Sequence, residues 1–268
     1  MQPTTTGSNR TGTAASPKGA DAMAEAVLRY SPPSPIDTSA SDEDRALYIA
    51  EADPVGSIPP PASVKGFVKT GVGKLMGDRP ELLMDKIGER IAFERGGTRL
   101  YDALIVKYKA AMAAGTELPS LGEAVAANGE DPSPLLSFAN ESPLETLERI
   151  RGEELAHFHL LCEAMEQLGG DPTAMTPCAN VIATASMGLM QVVTDPRTTL
   201  AQSLTAMHSA EMTDNAGWEL LIQLTEQLGE DDLTGRFLAA LTQEAQHELI
   251  VRTWLMALVA ADETPALV

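Results

Sequence analysis

Two short stretches of the chain carry one pattern: Glu154 and His157 in "EELAHF", and Glu244 and His247 in "QEAQHE". A carboxylate and an imidazole three residues apart on a helix project from one face and can reach a single metal ion. Walked in alternating steps of three and four, the first stretch reads Leu147, Ile150, Glu154, His157, Leu161, Ala164 and Leu168. The second reads Phe237, Ala240, Glu244, His247, Val251, Trp254 and Leu258. Both pairs interrupt a stripe that otherwise asks for core side chains. The same walk places Glu94 among Ile87, Ile91, Thr98, Tyr101, Ile105, Tyr108 and Met112. It also places Glu211 among Leu204, Met207, Asp214, Trp218 and Leu221.

An ionised carboxylate buried without a partner costs several kcal/mol, and four together also repel one another. No Lys or Arg falls on these stripes, so cations are the simplest compensation. Two metal ions offset four carboxylates, and two neutral imidazoles complete the coordination. The expected ligands are Glu94, Glu154, His157, Glu211, Glu244 and His247. Oxygen-rich ligation with one imidazole per ion suits iron or manganese better than zinc, which prefers tetrahedral nitrogen and sulfur sites.

The elements that must hold these residues follow from the same periodicity. Four long helical segments are predicted at about 80–114, 142–168, 197–228 and 231–261. Pro80 opens the first, Ser142 with Glu145 caps the second, and Gly115, Gly169 and Gly229 mark ends. The short "GED" turn makes the last two segments antiparallel neighbours. Between the second and third lie about 28 residues, with a small helix expected at 178–193, enough for a crossover along the molecule. With only 4% aromatic residues and no strand-like alternation, the chain reads as all-α, a four-helix bundle with one long crossover over 79–268. Residues 1–78, rich in Ser, Thr, Ala, Gly and Pro, read as a largely disordered tail with one short helix possible at 42–51. A tail of this kind can tether, target or wrap a protein partner.

The order Glu94, then Glu154 with His157, then Glu211, then Glu244 with His247 resembles the ferritin-like family of di-iron and di-manganese carboxylate proteins. Its signature is one Glu plus one Glu-x-x-His in each half of a four-helix bundle. The resemblance covers about residues 80–261 and is carried by "AFERGG", "EELAHF", "SAEMTD" and "QEAQHE". It implies that Glu154 and Glu244 bridge two ions, that Glu94 and Glu211 are terminal ligands, and that each His binds one ion. It also implies two iron ions, with manganese as the alternative, and chemistry on Fe(II), O2 or H2O2. Tyr101, seven residues after Glu94, matches a tyrosine that in many ferritins lies beside the metals and takes part in electron transfer or binds a ligand. A core tyrosine is the plainer reading. Within the family, Fe(II) oxidation with reduction of O2 or H2O2 leads, and manganese catalase-like dismutation of peroxide and oxygenation of an organic substrate are the rivals. A metal-stabilised scaffold is the non-enzymatic alternative. The tail and an insertion at 115–141 depart from a cage-forming ferritin, and two Cys are too few for a rubredoxin module. A homodimer fits the family.

Other residues weigh less. Asp214, one turn after Glu211, is expected either to orient an imidazole or to lie at the surface. His159 points away from His157, His208 is expected to be a hydrogen-bonded interior histidine, and Glu148 and Glu153 are expected to face solvent. Met175, Met187 and Met190 look like gap-filling core. Formal charge is −19, with 38 acidic against 19 basic residues, which argues against nucleic acid and anionic membrane as partners. The longest weakly polar stretch, 181–193, is too short to span a bilayer, and no secretory signal pattern opens the chain. With two Cys and no disulfide framework, a cytoplasmic location is expected.

Overall fold

The computed structural model describes residues 16–31, 34, 37–52 and 80–262, and the chain divides into two units, Met1–Asp53 and Pro54–Val268. Among the described residues all regular structure is helical, and no helix is long and apolar enough to cross a membrane. In the first unit α1 (Pro17–Tyr30) and α2 (Ser39–Glu51) contain no buried residue. Helix α2 takes in the short helix expected at 42–51. Helix α1 was not anticipated, although Pro17 in its first turn and its run of Ala favour it. The remainder of the expected 1–78 tail, 1–15, 32–33, 35–36 and 53–78, lies outside the described residues.

The second unit holds α3 (Pro80–Ala113), α4 (Leu121–Asn128), a 3-10 helix (Ser133–Phe138), α5 (Pro143–Gln167), α6 (Pro177–Ala185), α7 (Met187–Thr194), α8 (Leu200–Leu228) and α9 (Asp231–Asp262). Capping boxes open three of these helices. Ser142 and Glu145 start α5, Thr199 and Gln202 start α8, and Ser120 and Glu123 start α4. Each such cap is worth about 1 kcal/mol, because it satisfies backbone N–H groups that the helix cannot. Gly229, at φ 68°, ends α8 and lets the chain reverse into α9.

The apolar core falls into two clusters. One gathers Leu83, Met84 and Ile87 of α3, Leu161 and Met165 of α5, Leu221 and Ile222 of α8, and Leu233 and Phe237 of α9. The other gathers Leu104 and Tyr108 of α3, Leu147 and Ile150 of α5, Leu204 and Met207 of α8, and Val251 and Trp254 of α9. The start of α3 thus shares a cluster with the end of α5, the end of α8 and the start of α9. Helices α3 and α9 therefore run in one sense and α5 and α8 in the other. Each long helix passes from one cluster to the other, and the polar residues lie between.

The connections are anchored. Asp85 of α3 accepts the Cys178 N–H at 2.9 Å and, through its carbonyl, the Thr176 hydroxyl at 3.2 Å. Lys107 donates to the Asp195 and Thr198 carbonyls at 2.9 and 3.1 Å, holding the entry to α8. The 115–141 insertion packs on α9. Leu118, Leu121 and Val125 are buried, Trp254 Nε1 donates to the Pro119 carbonyl at 2.9 Å, and Asn128 donates to the Thr253 carbonyl at 3.1 Å. Three expectations fail here. The helix foreseen at 178–193 breaks at Ser186, Met112 lies outside the core, and Met175 and Met187 are exposed, leaving only Met190 packed against the core.

Candidate metal centre

Between the two apolar clusters, Glu94, Glu154, His157, Glu211, Asp214, Glu244 and His247 are all buried, none more than 3% exposed. All six expected metal ligands are therefore brought together. Glu154, Glu211, Glu244 and His247 offer ligand atoms that lie within 4.8 Å of one another, and so do Glu94, His157 and Glu244. Glu244 belongs to both groups. A third overlapping group joins Glu94, Glu154, Asp214 and Glu244.

Both imidazoles turn Nδ1 into the cluster. His157 Nδ1 is 2.5 Å from Glu244 Oε1 and 3.9 Å from Glu94 Oε2. His247 Nδ1 is 3.2 Å from Glu244 Oε2, 3.3 Å from Glu154 Oε1 and 4.0 Å from Glu211 Oε2. The far edges of the rings are held from outside. His157 Nε2–H donates to Gln243 Oε1 at 2.9 Å, and His247 Nε2–H donates to Glu153 Oε2 at 2.8 Å. These bonds fix the tautomer that leaves Nδ1 as the ligating atom. Arg149 in turn donates to Glu153 at 2.8 Å.

The terminal carboxylates are also oriented. Trp218 Nε1 donates to Glu94 Oε1 at 2.9 Å, and the Tyr101 hydroxyl donates to Glu211 Oε1. What these bonds leave over is telling. Glu94 Oε2 and Glu211 Oε2 are buried with no hydrogen-bond partner, and His157 Nδ1 and Glu244 Oε1 face each other at 2.5 Å. Buried polar atoms are nearly always satisfied, so two unpartnered carboxylate oxygens in one cluster fit a set that could hold cations. At the same level Gly97 of α3 faces α5, and a Cβ there would run into the Glu154 carboxylate.

Electrostatics show the cost of holding these groups together. Burial pushes Glu94 well above the usual carboxylate range, with repulsion from Asp214, Glu244 and Glu154 adding to it and Arg90 opposing. Burial and Glu154 do the same to Glu211, and burial and Glu244 raise Glu154. Glu244 is the exception: burial works against its charge, yet His247 and His157 hold it down to about 2. Burial opposes the imidazolium of His247, but Glu244, Glu153 and Glu154 raise it well above its ordinary value. Burial and Glu211 keep the Tyr101 phenol protonated as a donor.

Three sequence expectations are corrected. Asp214 orients no imidazole. It accepts from Arg90 Nη1 at 2.6 Å, and this pair answers the expectation that no basic residue accompanies the carboxylates. Arg90 is itself buried, stacked 4.3 Å from the centre of the Phe93 ring. Glu153 does not face solvent but braces His247. Its counterpart is Gln243, and a signal for both was present: each precedes a ligand Glu, and each supports the histidine of the other motif. Trp218 and Gly97 carried no comparable signal. His159 is exposed, and His208 pairs with Glu248 at 2.7 Å, so neither joins the cluster. Glu148 lies at the surface beside Lys109. Cys162 and Cys178 are free thiols; burial and Asp85 push Cys178 up to about 11.

A cavity of about 1040 Å³ opens beside Val106, Lys107, Val193 and Leu258, and none of the cluster residues lines it. In its described residues the second unit is thus helical around a buried cluster of carboxylates and imidazoles that could hold metal ions. No protein-family model, curated protein or solved structure matches the chain.

Proposed function

We propose that the second unit is a ferritin-like four-helix bundle whose core binds two iron ions, and that the protein oxidises Fe(II) while reducing O2 or H2O2. The opposed sense of α3 and α9 against α5 and α8, with α6 and α7 in the 168–199 connection, is what a bundle with one long crossover requires. The observation that carries the metal reading is the gathering of six buried carboxylates and imidazoles into groups that share Glu244, with Glu94 Oε2 and Glu211 Oε2 left without a partner. Glu94 and His157 would hold one ion, Glu211 and His247 the other, and Glu154 and Glu244 would serve both. A bound iron pair supplies a redox couple for electron transfer to O2 or H2O2.

The chain's own residues do the rest. The two apolar clusters keep bulk water from the carboxylates, Trp218 and Tyr101 fix Glu94 and Glu211, and Gln243 and Glu153 point both Nδ1 atoms inward. Tyr101 donates a hydrogen bond to Glu211, so its phenolic proton would pass to that carboxylate if the ring gave up an electron to the bound metals.

Elemental analysis of protein purified without added metal is the first test, with two iron ions per chain expected; two manganese ions would move the reading to peroxide dismutation. Rapid mixing of the Fe(II)-loaded protein with O2 and with H2O2 should then oxidise the iron faster than in free solution. Retained metal with no redox turnover would leave a scaffold in place of an oxidoreductase. Two ions still bound by the Glu154→Ala, Glu244→Ala double variant would overturn the site assignment.

A further inference from the structure

We infer that the two ion positions are unequal and fill in order, the position on Glu211 and His247 before that on Glu94 and His157, with Glu153 and Gln243 as the residues that set the difference. The inference rests on the two-ion reading above and adds to it which position holds a resident ion and which exchanges.

Two observations point the same way. The first is the donor count within reach. His247 Nδ1 lies within 4.0 Å of carboxylate oxygens of Glu244, Glu154 and Glu211, whereas His157 Nδ1 lies that close to those of Glu244 and Glu94. The second is the outer partner of each imidazole. His247 Nε2–H meets a carboxylate, Glu153, at 2.8 Å, and His157 Nε2–H meets an amide, Gln243, at 2.9 Å. A carboxylate on the far nitrogen makes the imidazole a stronger donor to a metal, and such outer partners change affinity by about 10- to 100-fold. Arg149 shares Glu153 at 2.8 Å and so holds that half-buried carboxylate against the imidazole.

The two supports are placed symmetrically, each immediately before a ligand Glu and each reaching the other motif's histidine. Only their chemistry differs, carboxylate against amide. Exchanging them therefore tests the difference in isolation: Glu153→Gln should weaken the first position, Gln243→Glu should strengthen the second, and the double exchange should reverse the order.

The full chain, freed of metal, is titrated with Co(II) without oxygen and followed by calorimetry and by visible absorption, which reports the ligand set of each ion. Two uptake steps are expected, the first tighter by about tenfold or more. His247→Ala should remove the tight step, and His157→Ala only the weak one. A merely structural role for Glu153 would lower both steps together and leave their order intact, and so would overturn the inference. Two steps of equal affinity in the unaltered chain, or a tight step lost in His157→Ala, would also overturn the order while leaving the metal centre standing. No Co(II) uptake at all would remove the metal centre and the order with it. The isosteric Glu153→Gln and Gln243→Glu variants preserve the test if either alanine variant fails to fold.

Discussion

Glu211→Gln keeps the shape of the side chain and an acceptor for the Tyr101 hydroxyl while removing the charge. In the metal-free protein burial and Glu154 raise this carboxyl well above its ordinary value of 4.5, so above pH 4.5 the folded chain holds a proton that the unfolded chain has lost. Each pH unit between the unfolded and folded values costs folding about 1.4 kcal/mol once the pH exceeds the folded value. The sign follows from linkage: the folded state binds the extra proton, so this contribution to stability is intact below 4.5 and is lost as pH rises towards the folded value. Glutamine carries no such cost. The variant should be more stable than the native sequence in EDTA at pH 7.5, by about 1.4 kcal/mol in urea denaturation for each pH unit of the shift, and the gain should vanish near pH 4.5. Added Co(II) should invert the ranking, because only the intact ligand set gains the full stabilisation that ligand binding gives the folded state. A variant less stable than the native sequence in EDTA at pH 7.5, or an equal gain at pH 4.5 and 7.5, would refute the reasoning.

The same protons must leave when ions enter. Metal uptake should release at least one proton and tighten as pH rises through neutrality, since Glu94, Glu211 and His247 are all held above their ordinary values; calorimetric heats that do not depend on the buffer's ionisation enthalpy would contradict this. Asp214→Ala strands the buried Arg90 guanidinium, whose Nε already lacks a partner, and should cost about 3–5 kcal/mol in denaturant. A loss under about 1 kcal/mol would mean that another group takes over the pairing. Gly97→Ala should leave helix content unchanged and lower Co(II) affinity by about tenfold or more, because the new methyl displaces the Glu154 carboxylate. Stability raised by about 1 kcal/mol, as helix propensity alone predicts, together with unchanged affinity would show that the space was free.

The long helices and the six ligand candidates were legible because both write themselves locally. A seam spaced by three and four marks the buried face, and Glu and His stand out on it against Leu, Ile and Trp. Bracing residues are harder to see, since their positions matter only once another helix arrives. Glu153 lies one residue off its own stripe and acts on His247 of α9, and Gln243 lies one residue off and acts on His157 of α5. Arg90 was missed for the same reason, although it precedes Glu94 by four and so stands near the same face. Helices α1 and α4 were overlooked for a different reason. Proline and glycine around them suggested loops, while the Ser-Leu-Gly-Glu box at 120–123 that opens α4 was readable and went unread.

The capping boxes have a consequence of their own. Glu154 stands twelve residues after Ser142, and Glu211 stands twelve residues after Thr199. On parallel helices, equal offsets from two locked starting points bring both carboxylates to the same depth, about 18 Å in, and at the same rotation. The starts act as zero marks from which the site is measured. Residues added ahead of either mark, in 169–175 or 115–119, lengthen a connection without moving a ligand. One residue added after a mark turns everything beyond it by about 100° and takes the carboxylate out of the core. The loops of this fold are therefore free to diverge, while the two twelve-residue spans are as fixed as the ligands they deliver.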